Sequence, residues 1–125
     1  MSRVEELGGR DAVEGVVRAF IDRCVSDFVI GFLFSGSDRD RIVRHETEMA
    51  LRMLGDDIPY TGRPLGAAHR PKRINQGHYR RRQAILRHVL VEQGLAEDVV
   101  ELWVAHQERF RAAVTNDVDC VAPGS

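Results

Sequence analysis

The sequence predicts an all-α chain, and three observations carry that reading. Apolar residues recur at helical rather than alternating spacing. Runs with strand character are sparse. Gly, Pro, Ser and Asp fall between the periodic segments, where they stop one helix and cap the next. At 125 residues, 43% hydrophobic and 30% charged, the chain is long enough for one domain with a real core and too short for two. The expected organisation is a single domain over residues 1–117 and a disordered tail over 118–125.

Each element has its own justification. After Gly8-Gly9, Asp11 is expected to cap a first helix in which Val13, Val16, Val17, Phe20, Ile21 and Cys24 form one apolar stripe, ending near Ser26-Asp27. The apolar link FVIGFLF, from Phe28 to Phe34, leads to SGSDRD, where Ser37 or Asp38 caps a second helix running to about Leu54. Gly55, Pro59, Gly62 and Pro64 predict loop from Gly55 to Leu65, and a brief helix around Leu65 to His69 would stop at Arg70, before Pro71. A third helix fits Asn75 to Gln93, with Tyr79, Gln83, Leu86 and Leu90 on one face and Gly94 as its stop. A fourth fits Ala96 to Val114, with Val99, Trp103, His106, Phe110 and Ala113 inward. So long an irregular segment in a small domain calls for a function or a packing partner, and a bound cofactor would be one.

The formal net charge of −1 argues against a generic polyanion binder. Between Arg63 and Arg87, however, Arg63, Arg70, Lys72, Arg73, Arg80, Arg81, Arg82 and Arg87 occur with no acidic residue among them. That run reads as a solvated face, a nucleic-acid surface, or a set of partners for an anionic cofactor. Tyr79 alone could stack on bases within it, which disfavours nucleic acid. Cys24 and Cys120 show no metal-type spacing and are expected to be free thiols. The N-terminal MSRVEELGGRD has no apolar signal core and no run is long enough to cross a membrane, so a soluble, cytoplasmic protein is expected. Nucleophile-elbow, dinucleotide-binding and P-loop signatures are missing from the sequence.

One residue sits in the wrong place for a plain core helix. At ~100° per residue, Glu46 falls about 40° from Ile42, between Met53 and Ala50, in the middle of the second helix's apolar face. A carboxylate there must be paired, with an arginine such as Arg80 for example, or protonated, or face a polar pocket. His45 lies at the rim of the same stripe, where a histidine is more often structural than a ligand. His78 and His88 stand among arginines, and His106 is expected to be a hydrogen-bonded core residue. His45, His69 and His78 could be drawn together as a zinc set, but they have neither the H-E-x-x-H pattern nor a compact ligand spacing.

Three stretches, in order and with the right gaps, point to a family: ELGGRDAVEGVVRAF near the start, FLFSGSDRDRIVRHETEMALRMLG in the middle, and YTGRPLGAAHRPKRINQGHY at 60–79. The last is the most specific, an aromatic followed by G-R, then A-A-H, then I-x-x-x-H-[FY], which ends on Tyr79. Over residues 6–115 the chain resembles the truncated haemoglobins, the short two-over-two globins, most closely their first group.

The resemblance implies a two-over-two helical sandwich around non-covalent haem b, with oxygen, nitric oxide or CO as ligands. It carries the family's association with oxygen binding and transport. It makes His69 the proximal iron ligand, sets Phe34 on the haem, and places Phe20 just before the distal tyrosine position. Tyr79 joins the cofactor contacts, and Arg63, Arg70, Lys72 and Arg73 become partners for the haem propionates.

The distal side departs from the family. Ile21 stands where a ligand-binding tyrosine is usual, and Ile42 and Glu46 stand where glutamine is frequent. His45 matches a histidine that can become a sixth iron ligand. Ala112 replaces the histidine that attaches haem covalently in some members. Ligand stabilisation of about 1–3 kcal/mol, usual from tyrosine or glutamine donors, would then fall to His45, protonated Glu46 or water. Glu46 and His45 are accordingly the catalytic candidates, Glu46 as a proton shuttle in redox or peroxidase-like chemistry with a reductase as electron donor. The alternatives are a haem enzyme acting on an organic or nitrogenous substrate and a haem-free interaction module.

Overall fold

In the computed structural model, which describes residues 2–62 and 74–115, the apolar spacing of the longest N-terminal helix becomes one wall of the core. This helix, α2 (Arg10–Val25), buries Val13, Val16, Val17, Phe20, Ile21 and Cys24, the full stripe read from the sequence. A short helix that the sequence reading did not anticipate, α1 (Arg3–Glu6), precedes it. There Ser2 accepts from the Glu5 N–H and the Glu5 side chain returns a bond to the Ser2 N–H, a capping box. The N-cap of α2 is Gly9 rather than Asp11. Gly9 turns the chain at φ +98° and its carbonyl already accepts from the Val13 N–H, so Asp11 falls in the first turn, where its charge suits the helix dipole.

The link after α2 closes into a 3₁₀ helix, Gly31–Phe34, which buries Leu33 and leaves Phe28 and Phe32 exposed. Asp38 caps α3 (Arg39–Met53) by accepting from the Arg41 N–H. Irregular chain follows from Gly55 to Gly62. Asn75 then caps α4 (Gln76–Glu92), with Tyr79, Gln83, Leu86 and Leu90 buried as expected.

The expected fourth long helix is two pieces, α5 (Glu97–Glu108) and α6 (Arg111–Val114). Between them the Phe110 N–H bonds to Gln107 and the Ala113 N–H to Phe110, three-residue steps that tighten and redirect the chain. Behind this turn Ala113 is exposed rather than inward, while Gln107 and Val114 take the buried positions. Helices α2, α3, α4 and α5 form the sandwich: α2 packs on both α3 and α4, and α5 packs on α4. The architecture is all-helical, without strands among the described residues. None of the described helices is long and apolar enough to cross a membrane. The expected helix around 65–69 and the tail at 118–125 lie outside the described residues.

Candidate functional site

Helix α3 uses two adjacent faces. Val43, Thr47, Ala50 and Leu51 are buried in the body of the fold, while Ile42, His45, Glu46 and Met49 line a cavity of about 380 Å³. That division explains Glu46, since its side of the helix meets a pocket rather than a packed core. The other walls come from Ile21 of α2, Leu33 and Phe34 of the 3₁₀ helix, Tyr60, Ile74, and His78, Tyr79 and Arg82 of α4. Ile30, Ser37, Gln107, Phe110 and Val114 complete the lining, and Asp38 and Arg41 stand with it as exposed residues. The volume is in the range that takes cofactor-sized ligands, and most of the wall is apolar.

Six of the residues singled out in the sequence, Ile21, Phe34, Ile42, His45, Glu46 and Tyr79, therefore converge on one cavity. His69, Arg63, Arg70, Lys72 and Arg73 lie in the stretch 63–73, outside the described residues. Of the zinc set, His69 lies outside the described residues; among those described, no group of three His, Cys, Asp or Glu side chains that could hold a metal ion occurs. His45 packs edge-on against Tyr60 at 5.8 Å between ring centroids. Tyr60 is in turn held near α3 by its neighbour Thr61, whose N–H donates to Glu48 at 2.8 Å. His78 closes the N-terminal capping box of α4, its Nδ1 accepting from the Asn75 N–H at 3.2 Å, and its ring meets Phe32 edge-on at 5.3 Å. His88 is exposed and lies 3.1 Å from Glu92. His106 is half-buried rather than fully inward, stacked edge-on with Phe110. Burial lowers its pKa, with Arg109 acting in the same direction, which favours the neutral imidazole.

The partner of Glu46 is Arg82, not Arg80. An Arg82 Nη2 hydrogen bond reaches Glu46 Oε1 at 3.1 Å, with both side chains about five-sixths buried, at 17% and 16% exposure. The same guanidinium donates to Gln107 Oε1 at 2.8 Å and to Gln83 Oε1 at 3.1 Å. It also stacks on Phe20 at 4.9 Å and Tyr79 at 5.5 Å from the ring centroids. Burial works to lower the Arg82 pKa, but Glu46 and, more weakly, Tyr79 and Cys24 more than offset it and hold the cation. The Tyr79 hydroxyl donates to the Gln107 carbonyl, tying α4 to α5 beneath this network. Burial also pushes the free Cys24 thiol up to about 12, which keeps it unreactive.

Arg82 and Gln107 are the residues the sequence reading passed over. Arg82 was hidden by its neighbours, since a block of three arginines reads as a solvated face. The signal that finds it is spacing: it stands three residues after Tyr79 and four before Leu86, both on the inner stripe.

A helical sandwich walling such a cavity defines a globin of the two-over-two type. A model of the bacterial-like globin family matches residues 2–116, and the chain belongs to that family. Among curated proteins it is similar to the group 1 truncated hemoglobin GlbN of Mycolicibacterium paratuberculosis, 31% identical over 75 residues, which cover 60% of this chain and 55% of that protein. The chain thus spans about half the length of that relative. The fold is shared with the truncated hemoglobin of Tetrahymena pyriformis, solved in its Fe(III) form (TM-score 0.82, 22% identity, 93% of this chain and 99% of that one). It is shared equally with the 2/2 hemoglobin of Synechococcus, solved with covalently attached heme (TM-score 0.82, 22% identity, 91% and 98% covered). Haem binding with diatomic ligands is typical of that family.

Proposed function

We propose that the chain holds non-covalent haem b in this cavity and binds diatomic ligands on the side lined by Ile21, Ile42, His45 and Glu46. The observation that carries this is the convergence of Ile21, Phe34, Ile42 and Tyr79 on one largely apolar, cofactor-sized space. A flat apolar macrocycle suits such walls, whereas a metal ion alone does not. His69 is the residue that would hold the iron, Phe34 the aromatic packed on the ring, and Arg63, Arg70, Lys72 and Arg73 the propionate partners. When bound, haem supplies an open coordination position and a change of oxidation state. Ala112, exposed on α6, offers no nucleophile for a covalent bond, which supports the non-covalent form.

The chain's own side chains set the distal chemistry. Ile21 and Ile42 exclude water and offer no donor. His45, packed against Tyr60, is the imidazole of that wall and the candidate sixth ligand. Glu46 lines the cavity as one half of an ion pair, and a carboxylate there can accept or return a proton. That pair is also what favours a second reading, redox or peroxidase-like turnover of a small substrate. In that reading a reductase is the electron source and the cytoplasm the compartment, the latter supported by the free Cys24.

Absorption spectra of oxidised, reduced and CO-bound protein, expressed with haem available, test the proposal. A Soret band is expected in the wild type and is expected to be lost in His69→Ala. If the wild type takes up no haem, the proposal is wrong. A six-coordinate ferrous spectrum unchanged by His45→Ala would exclude His45 from the iron.

A further inference from the structure

Arg82 does more in this cavity than neutralise Glu46. Its three hydrogen bonds use both hydrogens of Nη2 and one of Nη1, so Nε and the second Nη1 hydrogen have no partner among the described residues. The guanidinium plane is fixed by Phe20 and Tyr79, and apolar walls surround it, an arrangement in which a charge-assisted hydrogen bond is strong. Glu46 bonds it through a single oxygen, one contact where a fork-to-fork pair would make two. A lone contact of this kind is open to exchange.

We infer that Arg82 is an anion-binding residue of the cavity, and that a small monovalent anion takes the donor that Glu46 holds when the cavity is otherwise empty. The inference rests on the reading of the cavity as a ligand site and names the ligand class that its cation selects. Ile21, Ile42 and Met49 line the same cavity and offer an anion no competing donor, so charge is what the guanidinium selects. Glu46 is then a competitor for the anion, so its removal strengthens binding while removal of Arg82 weakens it. A purely structural ion pair gives no such opposition of sign.

Azide is the probe, titrated into the ferric haem-loaded protein and followed by absorbance. Glu46→Gln, close to isosteric, is expected to tighten azide binding about tenfold, and Arg82→Gln to weaken it about tenfold or more. The exposed control Arg80→Gln is expected to leave it unchanged. Should Arg82→Gln fail to fold with Glu46 left unpaired, the double variant Arg82→Gln/Glu46→Gln carries the same expectation of weakened binding. Azide affinity that is unmoved or lowered by Glu46→Gln overturns the inference, even where the Soret band shows haem in place. A second arm needs no haem: in ¹⁵N-labelled protein the Arg82 side-chain Nε–H resonance is expected to shift on azide addition, and more readily in Glu46→Gln. A resonance that does not move in either protein overturns the inference independently of whether haem binds.

Discussion

At the scale of single residues, ion pairs differ by how completely they are held. Arg87 with Glu101 and Arg18 with Asp40 are exposed on both sides and contribute little. Asp27 differs. Its carboxylate is 7% exposed, accepts from both Nε and Nη2 of Arg81, and also accepts from the Val29 and Ile30 N–H groups that begin the turn into the 3₁₀ helix. The Arg81 hydrogen bond is the largest cause of a carboxyl pKa lowered from 3.8 to about 2. A lowered carboxyl pKa means that the folded state binds this proton less readily than the unfolded chain. The stabilisation is therefore complete above about pH 4 and is lost as the pH falls towards 2. Since Arg81 is itself half-exposed, about 1–2 kcal/mol is expected from this group. Urea denaturation at pH 7 and near pH 2.5 checks it: Asp27→Asn should be less stable than wild type at neutral pH and close to it in acid. A constant gap across that range would mean that the carboxylate's charge is irrelevant. Asp27 could not be found from sequence, because its partner is 54 positions away. Glu46 could be found, because its misplacement is local to one helix, and its partner Arg82 is marked among the arginines only by its spacing from Tyr79 and Leu86 on the inner stripe of α4.

At the scale of elements, legibility followed the length of the apolar period and the presence of a cap. Helices α2, α3 and α4 each carry a sustained stripe; Asp38 caps where expected, and Asn75, read as the first residue of its helix, is its cap, because a side-chain oxygen at each place meets an otherwise unpaired N–H. The break between α5 and α6 has neither Gly nor Pro to announce it. It arises where Phe110 turns to the cavity, a tertiary demand that no local rule contains. Helix α4 ends on a pattern that sequence does show. The Leu95 N–H bonds to the Leu90 carbonyl and the Gly94 N–H to Val91, with Gly94 at φ +82°. A side chain at Gly94 would meet no atom within 4 Å, so its cost is conformational alone. Gly15, in the exposed middle of α2, also has open space around it but helical geometry. Alanine should therefore act with opposite sign at the two sites. Gly94→Ala is expected to destabilise by about 1 kcal/mol and Gly15→Ala to stabilise by roughly 0.5–1 kcal/mol. Equal shifts in chemical denaturation midpoint would contradict the backbone argument.

At the scale of the whole molecule, the cavity belongs to no single element. Its wall draws on α2, the 3₁₀ helix, α3, the chain at Tyr60, α4, and both sides of the α5–α6 break. The helical class was therefore readable from the sequence, while the meeting of Ile21, Ile42 and Tyr79 on one space depended on how α3 and α4 pack against α2. The family resemblance supplied what spacing alone could not. A site assembled from so many elements has a thermodynamic consequence, because the unfolded chain cannot reproduce it. A ligand that binds only the folded state stabilises it by RT ln(1 + [L]/Kd), about 2.7 kcal/mol at a free concentration of one hundred times Kd. For a domain of this size that corresponds to a thermal midpoint raised by on the order of 10 °C. Hemin titrated into the haem-free protein should raise the midpoint steadily, without a plateau once the site is full, since each tenfold excess adds about 1.4 kcal/mol. Arg80→Gln, outside the cavity, should follow the same curve, and His69→Ala should reach a given midpoint only at higher hemin. If His69→Ala and wild type give superimposable curves, hemin is adhering to the surface rather than entering the site proposed for it.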